Sequence, residues 1–152
     1  MTGLQRDMTL TSTDALYGRA EDADYWHILI RYPLPGAASG TTSYVLYLNV
    51  PDPGRAERVA YPIGPRGPAR GFFYQARGTA RGRELIASGF VWLRRRAGDR
   101  WLVTLSAEGK LGTRLKGLAV LSRSDLAVRD YIEQRHAGDV ADLRETATSR
   151  PP

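Results

Sequence analysis

Between Tyr25 and Leu121 apolar and polar side chains alternate with a period of two in one segment after another, the signature of strands with one buried face. The clearest run is Arg100 to Ala107. Trp101, Val103, Leu105 and Ala107 fall on one face, Arg100, Thr104 and Ser106 on the other, and Leu102 alone breaks the rule. In the run before it, Arg83 to Arg94, both faces are apolar: Leu85, Val91 and Leu93 share one, Ile86, Phe90 and Trp92 the other. Such a strand is expected to be central and covered on both sides. With Arg114 to Leu121, and turns at Ala97-Gly98-Asp99 and Glu108-Gly109-Lys110, these runs predict a three-stranded antiparallel meander.

Upstream, Tyr25 to Tyr32 places Trp26, Ile28, Ile30 and Tyr32 on one face and Tyr25, His27, Leu29 and Arg31 on the other. Ser43 to Val50 sets Tyr44, Leu46, Leu48 and Val50 in line. Pro33-Leu-Pro-Gly36 and Pro51-Asp-Pro-Gly54 stop these two strands, because proline cannot donate to a ladder and glycine supplies the positive φ of a turn. Arg58 to Ile63 reads as a short strand that Pro62 confines to an edge. Gly64 to Pro68 is loop, Gly71 to Ala76 resumes extended structure, and Arg77 to Gly82 turns. Residues 1 to 24 are polar and mixed, with one short candidate strand at Met8 to Ser12.

The expected fold is therefore mainly β: a single antiparallel β-sandwich or small β-barrel of about eight strands. After Leu121 the period changes. Ser124 is a good N-cap, Asp125 suits the first turn, and Val128, Tyr131, Ile132 and Arg135 follow at helical spacing up to Gly138. That predicts an α-helix over about 125–137, packed on the sheet or closing one end. Asp139 could cap a second short helix, residues 1–146 form one domain, and 147–152 are expected to be a disordered tail.

With 152 residues the chain is long enough to bury a full core without staples. Cysteine is absent, which excludes disulfides, thiolate metal sites and cysteine lipidation. The N-terminus has no basic head before an apolar core, and no apolar run is long enough for a helical membrane span. A cytoplasmic location is the default expectation, though a mature secreted form would read the same. The net charge of +6 is unevenly spread: residues 55–100 hold eleven arginines against Glu57, Glu84 and Asp99, whereas residues 1–24 are acidic. A basic stretch of this kind attracts anionic partners, and a GC-rich coding sequence would produce the same composition.

Catalytic machinery is not visible. The two histidines are His27, inside a strand beside Trp26 and Ile28, and His136, near the predicted helix end. His136 with Asp139 would supply two metal ligands at most, so no metal and no cofactor is expected. Glu21-Asp-Ala-Asp24 lacks the spaced oxygen ligands of a calcium loop. Gly109-Lys-Leu-Gly-Thr113 lacks the phosphate-loop spacing and precedes a strand. Ser88 and Ser106 lie within strands, away from any nucleophile elbow.

Three function classes remain. Arginines interleaved with aromatics at Arg66, Arg70, Phe72, Tyr74, Arg77, Arg81 and Arg83 are what a single-stranded nucleic-acid surface needs. In a barrel, Tyr25, His27, Arg31, Tyr44, Tyr47 and Trp92 are suited to line a pocket for a small apolar ligand, with cyclase- or isomerase-type chemistry within reach. The leading expectation is a non-catalytic binding or assembly module whose proline loops at 33–36, 51–54 and 62–68 give a contact rim, its partner being a protein or a second copy.

Overall fold

A computed structural model of the chain describes residues 7–12, 14–19, 24–33, 42–77 and 80–131. Nine strands form one sheet: β1 (Asp7–Ser12), β2 (Asp14–Gly18), β3 (Tyr25–Pro33), β4 (Thr42–Pro51), β5 (Arg58–Ile63), β6 (Arg70–Arg77), β7 (Ala80–Arg95), β8 (Arg100–Gly109) and β9 (Arg114–Arg123). Seven of them close a ring in the order β2-β3-β4-β6-β7-β8-β9, so the fold is a barrel and not a sandwich. The expected β7–β8–β9 meander is present and antiparallel throughout.

Closure falls to β2. It pairs antiparallel with β3, from Asp14↔Arg31 to Gly18↔His27, and parallel with the end of β9 at Leu16↔Ser122 and Tyr17↔Arg123. The sequence pattern does not single this segment out as a strand. Preceding it, β1 runs parallel along the first half of β9. β5 pairs with the C-terminal half of β7, beyond the point where β6 leaves it.

The interior is filled with side chains. Trp26, Ile28 and Ile30 of β3, Leu46, Leu48 and Val50 of β4, Phe73 of β6, and Trp101, Val103 and Leu105 of β8 are all buried in one cluster. Tyr17 lies tilted against Trp26 and Trp26 meets Trp101 edge to face, with ring centroids 4.3 and 5.2 Å apart. Each large side chain taken fully out of water contributes roughly 1.5–3 kcal/mol, so this packing is the main source of stability.

β7 departs from the expectation. The pairing register shifts by one residue between Ile86↔Gly109 and Ser88↔Glu108, a β-bulge that changes which parity points inward. Before it Glu84 and Ile86 are buried and Leu85 faces the outside wall; after it Val91 and Leu93 are buried. Leu85 therefore does not share a face with Val91, nor Ile86 with Phe90. The face bearing Phe90 and Trp92 is uncovered, which corrects the reading of a strand covered on both sides. Gly89 follows the bulge and lets β7 approach β8 closely: its φ of +145° is a glycine conformation, and a Cβ there would lie 2.8 Å from Ala107 Cα.

At one end Glu84 binds the β8–β9 turn. Its carboxylate accepts hydrogen bonds from the N–H of Leu111 (2.8 Å) and Thr113 (3.3 Å) and from the Thr113 hydroxyl (2.7 Å). This satisfies turn donors that the ladder cannot reach.

The helix α1 (Asp125–Tyr131) starts as expected: Ser124 Oγ accepts the Ala127 N–H at 3.3 Å. Gly18 lets it approach β2, since a Cβ there would sit 2.8 Å from Asp125 Cα. Val128 and Tyr131 pack outside the barrel with Leu16, Leu29, Val45, Tyr47 and Phe72, so α1 lies on the wall. The remainder of the predicted helix, the segment at Asp139 and the tail at 147–152 lie outside the described residues.

Candidate functional site

The structure brings part of the two predicted residue sets together on the outer wall of the barrel. Leu16, Leu29, Tyr47, Phe72 and Leu85 form one row across β2, β3, β4, β6 and β7, each paired with the next. His27 stands two residues from Leu29 on the same outward face, fully buried, with Nδ1 2.6 Å from the Tyr47 hydroxyl. The Tyr47 and Phe72 rings are 5.3 Å apart. Arg31 stacks 5.8 Å over Tyr131, and Arg83 lies 6.0 Å over Phe72. This assembly is a second, smaller core beneath α1.

The remaining candidates are dispersed. Tyr25 is half-buried at the start of β3. Trp92 lies on the outside of β7, a different part of the wall from His27. Tyr44 is odd-spaced from Tyr47 and pairs in register with Tyr32 and Gln75. Phe72 is completely buried, so its ring has no open face for a base. Arg66 is exposed on the turn after β5, and Arg70 Nε donates to Pro65 O at 3.4 Å. Tyr74, Arg77 and Arg81 are placed by register alone, opposite Arg83, Ala80 and Ala76.

Among the described residues an open apolar surface lies where sequence reasoning placed none. On the outer face of β7, β8 and β9, Phe90 is 48% exposed and Trp92 44%, and their rings stack at 5.9 Å with planes 26° apart. In register, Trp92 sits beside Thr104 and Thr104 beside Leu118, while Leu102 sits beside Val120. Leu118 and Val120 are also exposed, so apolar side chains from three strands share this face, with Thr104 and Ser106 between them on β8. On β5 the neighbours of Phe90 and Trp92 are Pro62 and Ala60.

Cations edge this face. Exposed Arg58, Arg94 and Arg100 stand at one end and Lys116 and Arg114 at the other, where Glu108 and Asp7 are both in register with Arg114. No ion pair among the described residues engages those five cations. An isolated glycine inside a strand pattern, here Gly89, is the sequence signal that could have revealed the bulge and hence this face.

Other chemistry finds little support. Among the described residues no cluster of His, Asp and Glu could hold a metal ion. A cleft beside Arg70, Gly71, Ile86 and Lys110 has room for about 50 Å³, too little for an organic ligand. Gly109–Thr113 is the β8–β9 turn held by Glu84, not a phosphate cradle. No described helix is long and apolar enough to cross a membrane. No protein-family model, curated protein or solved structure matches the chain.

Proposed function

We propose that the protein is a non-catalytic binding or assembly module, and that it engages its partner through the outer face of β7–β8–β9. One observation carries the reading: the stacked pair Phe90 and Trp92 is exposed on the same face as Leu118 and Val120. Soluble domains rarely leave such a surface bare without a use for it, and aromatics and arginine are the side chains that dominate protein interfaces. Behind it the barrel encloses a large cluster of buried apolar side chains, which backs the wall as a platform.

The test is site-specific photo-crosslinking in cells, with a photoreactive residue placed at Trp92, at Leu118 or, as a control, at Arg66. Adducts from positions 92 and 118 and none from 66 are expected. The same adducts from all three positions, or none from 92 and 118, would overturn the proposal.

A further inference from the structure

We infer that the occupant of the β7–β8–β9 face is an acidic protein segment. Its apolar side chains cover Phe90, Trp92 and Leu118, and its carboxylates meet the flanking arginines. This rests on the functional reading above and adds the class of partner. Charge complementarity is the argument. Arg58, Arg94, Arg100, Arg114 and Lys116 surround the face, and the carboxylates in register with them, Glu108 and Asp7, both stand beside Arg114. An apolar centre within a rim of one sign selects a partner with the inverse rim, because like charges brought together at an interface cost binding energy and slow encounter.

A second copy fits poorly. In a two-fold dimer through this face each cationic rim would meet another cationic rim, on a chain that already carries +6. Single-stranded nucleic acid fits less well than protein. Phosphates suit the arginines and a base could extend the Phe90–Trp92 stack, but Leu102, Leu118 and Val120 offer aliphatic surface where a base needs a ring. Aliphatic and aromatic groups side by side inside a charged rim are the anatomy of a protein–protein contact.

The chain contains its own reporter. Of its three tryptophans, Trp26 and Trp101 are buried and Trp92 is exposed, so acrylamide quenching reads chiefly Trp92. The probes are a short labelled peptide alternating leucine with glutamate, the same peptide with lysine for glutamate, a glutamate–serine peptide and an oligothymidylate. Each is titrated at low and at physiological salt, with anisotropy and quenching recorded.

The leucine–glutamate peptide should bind, protect Trp92 from quenching and weaken as salt rises. Its affinity should fall about tenfold or more with Phe90→Ser/Trp92→Ser and with Arg94→Glu/Lys116→Glu. Circular dichroism of both variants checks that they remain folded. Equal binding of the lysine peptide, tighter binding of the oligothymidylate, no binding of the leucine–glutamate peptide, or a dimer that Trp92→Ser dissociates would each overturn the inference. If crosslinks from positions 92 and 118 persist while the peptide fails, the partner class is wrong and the face stands. If both fail, the functional reading falls with it.

Discussion

Ile86 and Phe90 lie on opposite faces of one strand although four residues separate them: Ile86 is 2% exposed inside the barrel and Phe90 48% exposed outside it. An even spacing in an unbroken strand puts both on the same side. The bulge between Ile86 and Ser88 supplies the odd residue, and the open apolar face of the outer wall follows from it.

The bulge can be tested directly. Gly89→Ala forces a Cβ toward Ser106 and Ala107 at a φ that only glycine holds comfortably, and should cost about 1–3 kcal/mol in denaturant unfolding. Deleting Ala87 removes the extra residue and makes the Ile86–Phe90 spacing odd, so an unbroken strand still places Val91 and Leu93 inside and Phe90 and Trp92 outside. That variant should keep a cooperative transition and a quenchable Trp92. A deletion variant in which Trp92 becomes protected from quencher would show that the bulge does not set the phase of β7.

Neighbouring residues should respond oppositely to truncation. Trp92→Ser and Phe90→Ser should each change stability by about 1 kcal/mol or less, because nearly half of each side chain is already in water. Leu93→Ala, one position along, should cost roughly 2–5 kcal/mol through lost burial and the cavity left behind. Urea titrations of the three variants measure the contrast.

Glu84 is expected to act on the β8–β9 turn and nowhere else. Glu84→Ala leaves the N–H groups of Leu111 and Thr113 and the Thr113 hydroxyl without their acceptor, a loss of roughly 1–3 kcal/mol. Amide exchange should accelerate at Leu111 and Thr113 while β3 and β4 keep their protection.

Alkaline pH should destabilise the barrel through Tyr17. Burial, and after it the charge of Asp99, raises its phenol above the ordinary value near 10, and the hydroxyl donates to the Asp99 carbonyl at 2.8 Å. The native state holds this proton more tightly than the unfolded chain does. The resulting stabilisation is complete below about pH 10 and is lost as pH rises through the raised native value. Tyr61 is raised in the same direction by burial and Asp52, so Tyr17→Phe should remove part of the alkaline loss and leave the rest. Thermal melts across that range, with ultraviolet titration of the phenols, provide the measurement.

Much of the fold was legible because it repeats a local rule. The alternation in β3, β4 and β8 marks their inner faces, Ser124 marks the start of α1, and the glycine turns mark the meander. Less of the surface was legible. His27 and Tyr47 belong to separate strands, and only the β3–β4 register brings them within 2.6 Å. Phe72 reads equally well as a stacking ring or as core, and packing beside Tyr47 makes it core.

By itself the sequence determined that this chain is a cysteine-free β protein in which strands such as β8 alternate apolar and polar faces, since side-chain period and turn chemistry act over a few residues. Only the tertiary structure decided that the sheet closes. The closing strand β2 carries little pattern of its own and is specified by the edges of β3 and β9 on either side of it. It also decided that Phe90 and Trp92 face water, because one bulge reverses the phase of a strand whose two faces are equally apolar, and no period counted along the chain distinguishes inside from outside there.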